Sequence, residues 1–307
     1  MKTRESSFEL LRLIAILMVV VGHINGIAFD PISHADVLSS PVTCFSRMFL
    51  GRLCVIGVDI FILISGYFSI KPKLKSILNF AFLIFFWRVL MYVVQGTLGY
   101  FEFRASTAVA MINPLKIWFI RDYVTLMIMA PMLNTFCEKL TDRQLLKAIG
   151  VYYIIAFVAD YVIPLKYWGL MGGGYSAMWF FGLYMIGRYL GMYGLGRWNI
   201  SIRRLNLIYC GVSLLSAAIL FTAVYISANT WVRDKVGCVL SYYTSPFVLL
   251  AAIAVFMIFA KLHFTSRFVN YAAMSVFPIY LSHSPTKWFW RTCHDIASTG
   301  GGERYIG

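Results

Sequence analysis

The chain is poor in charge, and poorest in negative charge. Only 13% of its 307 residues are Asp, Glu, Lys or Arg, and 27 Lys and Arg face 13 Asp and Glu. So few charges, with 60% hydrophobic residues and a mean hydropathy of +0.74, exclude an ordinary soluble domain. The net charge of +14 would suit a nucleic-acid partner, but no basic patch interleaved with aromatics exists to receive one. The cysteines (Cys44, Cys54, Cys137, Cys210, Cys238, Cys293) form no CxxC pair and have no histidine at ligand spacing, which argues against a zinc site or a disulfide framework. Gly172-Gly173-Gly174 is no phosphate cradle, because no strand precedes it and no Gly-Lys follows. A soluble domain, an internal repeat and a low-complexity tract are all lacking.

Long apolar runs are what the chain has instead. A helix needs about 20 apolar residues to cross the hydrocarbon core. Nine stretches meet that need, near residues 8-28, 50-70, 77-99, 114-134, 146-163, 175-193, 205-226, 243-261 and 269-284. The fold expected is all-α, a polytopic membrane helical bundle of about nine transmembrane helices, with residues 29-49 as a modest outer loop. The first run is too long for a signal-peptide core and lacks a small-residue cleavage site, so it should remain as an anchor. Lys2 and Arg4, Lys71, Lys73 and Lys75, Lys139, Arg143 and Lys147, Arg188 to Arg204, and Lys261 and Arg267 all fall on one side, which predicts a cytoplasmic amino terminus.

The first run, LRLIAILMVVVGHINGIAF, carries two ionisable groups, Arg12 and His23. Eleven residues of helix return to within roughly 20° of the starting direction and rise about 16 Å, so both side chains share one face. Glu5 and Glu9 project near the same line, and Glu9 is placed to pair with Arg12 across one turn. Ionisable groups at such depth are costly and commonly functional. The plainer reading has Arg12 snorkelling to the headgroups and His23 hydrogen-bonded inside the bundle.

GVDIFILISGYF, residues 57-68, puts Asp59 at a depth comparable with His23, and Ser65-Gly66-Tyr67 close to the KPKLK loop. A buried carboxylate needs a partner. His23 is one candidate, with the carboxylate orienting the imidazole as a general base; Arg52 or Arg121 as a structural partner is the other.

These residues resemble the type 3 family of integral-membrane acyltransferases. Arg12, ten intervening residues and His23 match the family's first helix. Gly57, Val58, Asp59, Phe61, Ser65, Gly66 and Tyr67 match its G-V-D/E-x-F-F-x-x-S-G-F/Y signature. WFIRDYVTLMIMAPMLN at 118-134, YSAMWFFGLYMIGRYL at 175-190 and FPIYLSHSP at 277-285 are similar to three later segments, in the family's order. Two departures stand out. Lysines 71, 73 and 75, with Arg88 farther on, replace an arginine pair after the second helix, and lysine meets phosphate as a point charge only. The polar residues 285-307 also leave the family's last helix missing.

The resemblance implies an enzyme: an acyltransferase domain over residues 1-284 that O-acylates a cell-surface polysaccharide or its lipid-linked precursor. Acetyl-CoA or another acyl-CoA is the implied donor, without a metal, in a bacterial inner (plasma) membrane. Its expected catalytic pair is His23 with Asp59. Arg12, Ser65, Lys71, Lys73 and Lys75 are expected to hold the donor, while Arg121, Tyr123 and His283 are candidates on the acceptor side. The covalent route, in which His23 carries the acyl group, stays open beside direct transfer. The competing classes are a transporter or flippase for lipid-linked sugars and an inactive, truncated family member.

Overall fold

The computed structural model describes residues 5-162, 171-283 and 293; the polar tail and its expected lack of a last helix lie outside them, as do Lys2 and Arg4. Among the described residues every regular element is helical, and no strand occurs. The principal helices are α1 (Ser6–His23), α2 (Pro41–Cys54), α3 (Gly57–Tyr67), α4 (Leu74–Thr97), α5 (Trp118–Lys139), α6 (Asp142–Phe157), α7 (Ala177–Tyr189), α8 (Ile202–Ile226), α9 (Thr230–Ser241), α10 (Pro246–Ala260) and α11 (Val276–His283).

Six helical stretches are long and apolar enough to cross a membrane: Ser6–Gly26, Pro41–Tyr67, Leu74–Thr97, Asp142–Val162, Ile202–Ile226 and Thr230–Ala260. The other three expected spans are helical but fall short of that measure. Arg121, Asp122 and Asn134 dilute the apolarity of α5, and α7 and α11 have 13 and 8 residues. The outer loop expected at 29-49 is instead largely helical, with a short helix at His34–Ser39 and then α2. Ser33 and Asp36 form a reciprocal capping box there, and Pro41 occupies the first turn of α2, where its missing N–H costs nothing.

The bundle centres on α10, whose apolar sequence is buried on nearly every side, as expected of a helix without a polar face. Phe8, Leu11, Ala15, Ile16 and Val19 turn one face of α1 inward, while α4 and α6 present Phe82, Phe85, Ile154 and Ile155 outward. On a soluble surface such side chains would be a liability; on these helices they form the lipid-facing side.

Glycine sets how closely α3 approaches α7. A Cβ on Gly66 would lie 2.3 Å from the Tyr184 carbonyl oxygen, and one on Gly187 2.4 Å from the Leu63 carbonyl oxygen. The two backbones touch where neither helix has a side chain, the small-residue contact common between membrane helices. A closed polar network locks the same crossing. The Ile70 amide donates to Tyr184 Oη (2.8 Å), Tyr184 donates to Asn134 Oδ1 (2.8 Å), and Asn134 Nδ2 donates to the Ile70 carbonyl (3.0 Å). Asn134 and Tyr184 belong to the recognised segments, and here they hold the end of α3 against α5 and α7.

Candidate active site

Arg12 and Glu9 pair at 2.7 Å, as their spacing on α1 predicts. They lie on the wall of a cavity of about 910 Å³ at the Ser6 end of the bundle, shared with Glu5, Ser65 and Tyr123. Ser65 Oγ donates to the Phe61 carbonyl one turn back (2.8 Å) and lies 3.1 Å from Tyr123 Oη. Arg12 also acts electrostatically on Tyr123. One side of the cavity is thus polar, with the Arg12 guanidinium beside two carboxylates, and phenylalanines line much of the rest.

A separate space of about 50 Å³ adjoins this cavity, and Phe61, Phe119, Val276 and Phe277 line both. Its far wall is Val19, one turn before His23, and Tyr280, whose ring stands edge-on to His283 with centroids 5.7 Å apart. The two cavities together run from Arg12 as far as Val19, one turn short of His23, which lines neither.

Because α11 packs on α1, His283 reaches His23: His23 Nδ1 is 3.1 Å from His283 Nε2 and the rings stack with centroids 5.2 Å apart. His283 Nδ1 is 2.9 Å from the Ile279 carbonyl oxygen, a group that only accepts, so this nitrogen carries a proton. In a neutral His283, Nε2 then holds the lone pair and accepts from His23 Nδ1–H. A neutral His23 is left with its own lone pair on Nε2, the nitrogen a general base or nucleophile uses.

Asp59 does not orient His23. Fully buried in the first turn of α3, it accepts from Trp179 Nε1 of α7 at 3.4 Å, and its other oxygen has no hydrogen-bond partner among the described residues. Gly57 packs on Ala15 and Val19 and Tyr67 on Phe8, so α3 runs antiparallel to α1 and Asp59 lies on the Ala15 side of Val19, away from His23, with its carboxylate turned to α7. Its alternative partners fail too. Arg121 forks onto neighbouring Asp122 (2.9 and 3.1 Å), and Arg52 donates to Ser241. Arg121 is half-exposed and lines neither of the two adjoining cavities. Lys71 and Lys73, between α3 and α4, and Lys75, in the first turn of α4, are exposed and do not line the large cavity, although Phe68 and Phe80 on either side of them do.

Sequence reasoning missed Trp179 as the partner of Asp59 and the phenylalanine wall between the two cavities. The tryptophan of the 175-190 segment was the one available signal for the first. A model of the type 3 acyltransferase family, described as an acyltransferase domain, matches residues 5–299. The chain belongs to that family. It is therefore a multi-pass membrane acyltransferase. No curated protein and no solved structure matches it. Among the described residues of this acyltransferase no cluster of three or more potential metal ligands occurs.

Proposed function

We propose that the enzyme transfers an acetyl group from cytoplasmic acetyl-CoA to a sugar hydroxyl of a cell-surface polysaccharide or its lipid-linked precursor. The observation that carries this reading is the alignment of the Arg12 cavity, the smaller space that shares four of its lining residues, and the His23–His283 pair one helical turn beyond Val19. On the orientation given by the basic loops, the Arg12 mouth faces the cytoplasm, where acyl-CoA is available. The phosphates of the donor bind at that mouth, with Arg12 as the charged donor and Lys71, Lys73 and Lys75 as a surrounding field. The pantetheine arm lies along Ser65 and Tyr123. The inner space of about 50 Å³ favours a short acyl group over a long one.

His23 Nε2 takes the proton of the sugar hydroxyl as its oxygen attacks the thioester carbonyl. The carbon–sulfur bond breaks, and the imidazolium returns the proton to the departing thiolate, leaving an ester and CoA thiol. In the covalent alternative His23 Nε2 first takes the acetyl group and releases CoA, and the hydroxyl then attacks the acyl-imidazole. Exchange of acetyl between two CoA species in the absence of sugar distinguishes the second route. Asp59 serves this site indirectly, holding α3 against α7 through Trp179.

The test is transfer of label from [14C]acetyl-CoA to polysaccharide by membranes containing the protein. Alkali-labile label on the polymer is the expected result, and its absence with confirmed protein in the membrane contradicts the reading. Within the same assay, Arg12→Gln, which can still donate to Glu9, is expected to raise KM for acetyl-CoA at least about tenfold with kcat nearly kept. That is the size of one lost charge-assisted bond made equally to ground and transition states. A fall in kcat at unchanged KM would contradict the placement of Arg12 at the donor phosphates.

A further inference from the structure

A second cavity, of about 480 Å³, opens at the other end of α1 and is lined by Asn25, Arg47, Arg52, Tyr175 and Arg233 among others. Asn25 follows His23 by two residues, so this space adjoins the histidine end of the acyl path rather than the Arg12 end. Its charges are unevenly matched. Arg233 is neutralised by its neighbour Asp234 at 2.9 Å. Arg52 meets no carboxylate among the described residues. It donates from Nη1 to the neutral Ser241 hydroxyl, and its Nε is buried without a partner. Arg47 makes no ion pair either, although Asp36 is near enough to act on it electrostatically: Nη2 donates to the carbonyls of Asn25 (3.4 Å) and Asp30 (3.1 Å), and Nε is buried and unpartnered. Asp30 is the other carboxylate on the wall, and no ion pair joins it to either arginine.

Arg52 lies within the membrane-crossing stretch Pro41–Tyr67, where a guanidinium without a counter-charge is costly and is retained when it serves a ligand. The planar fork suits a carboxylate or a phosphate oxygen pair. Tyr175, whose ring packs against Trp118 (4.6 Å between centroids) and Tyr243 (4.9 Å) behind it, gives the wall an aromatic face against which a sugar ring can lie.

We propose that this cavity is an acceptor subsite that binds an anionic group, so that Arg52 and Arg47 select an acceptor sugar carrying a carboxylate or a phosphate. This inference rests on the function proposed above, because it assigns the cavity to that reaction's acceptor. The anion comes either from an acidic sugar of the polymer or from the phosphate of a lipid-linked precursor.

The test is isothermal titration of the full-length protein in nanodiscs of zwitterionic lipid with trigalacturonate, with its carboxyl-reduced neutral counterpart, and with inorganic pyrophosphate. Binding is expected for one or both anions and at least tenfold weaker for the neutral sugar. Trigalacturonate alone identifies an acidic sugar, and pyrophosphate alone identifies the precursor's phosphate. Arg52→Gln, and separately Arg47→Gln, should each weaken the anion at least tenfold and leave the neutral sugar unchanged. Anion binding without any acetyl transfer would sink the proposed function and keep the subsite. Equal binding of charged and neutral sugars, binding of neither anion, or anion binding indifferent to both substitutions overturns the subsite even where transfer is observed.

Discussion

His23→Ala is expected to lose between about a hundredfold and ten-thousandfold of the acetyl-transfer rate, the range a positioned general base supplies. The side chain lies one turn beyond Val19, the inner wall of the proposed donor site, and its ring is held by His283 through Nδ1. Removing it leaves the thioester without a base for the incoming hydroxyl, or without a nucleophile if the route is covalent. The large cavity is lined elsewhere, by Arg12, Ser65 and Tyr123, so donor binding should survive. The check is initial rate at saturating acetyl-CoA, with equal membrane amounts of both proteins confirmed by immunoblot. Loss in kcat with KM nearly unchanged is the expected pattern. Retention of a third or more of the rate would remove His23 from the chemistry.

Gly66→Leu should have the largest effect on the fold. Its Cβ would fall 2.3 Å from the carbonyl oxygen of Tyr184, and the obstacle is backbone, which cannot swing aside as a side-chain tip would. The helices must separate, and Gly187 loses its seat on the Leu63 carbonyl from the other side. Overpacking a close site costs about 1–3 kcal/mol when the surroundings can adapt; a clash with backbone on both helices should exceed that. The Ile70–Tyr184–Asn134 network spans the same crossing and should break with it, leaving buried polar groups unpaired. Size-exclusion profiles in mild detergent should show at least about a tenfold drop in monodisperse protein, with a lower thermal midpoint for what remains. An unchanged profile would mean that α3 and α7 are not held by this contact.

The first helix was the most legible part of the chain. Its polar residues are few and far apart, so the helical period fixes which face they share, and the Glu9–Arg12 pair follows from local spacing alone. The partner of Asp59 was not legible. Spacing places Asp59 on α3, but which neighbour it meets depends on the rotation of α3, and that rotation comes from glycine contacts with α7, more than a hundred residues away. The expected depth also missed, because the register of α3 on α1, with Gly57 against Ala15 and Val19, is set by tertiary packing. Hydropathy could not separate α2 from the loop expected before it, since Arg47 and Arg52 interrupt the apolar text; the Ser33–Asp36 cap and Pro41 were the available signals. His283 was visible as a candidate in a recognised segment, yet its contact with His23 joins residues 260 apart in sequence, which no periodicity reports. Lys71, Lys73 and Lys75 are exposed, and charge pattern alone tells little about which lysine meets a ligand.

In the proposed mechanism His23 and His283 act as one unit, His283 fixing the tautomer that leaves the lone pair on His23 Nε2. The most direct measurement is a double-mutant cycle on kcat with His23→Ala, His283→Ala and the pair together. Groups that work as a unit are strongly non-additive. The predicted result is a clear loss in His283→Ala alone and a double variant no slower than His23→Ala within about twofold. Losses that multiply, or a His283→Ala enzyme as fast as the parent, would contradict the account.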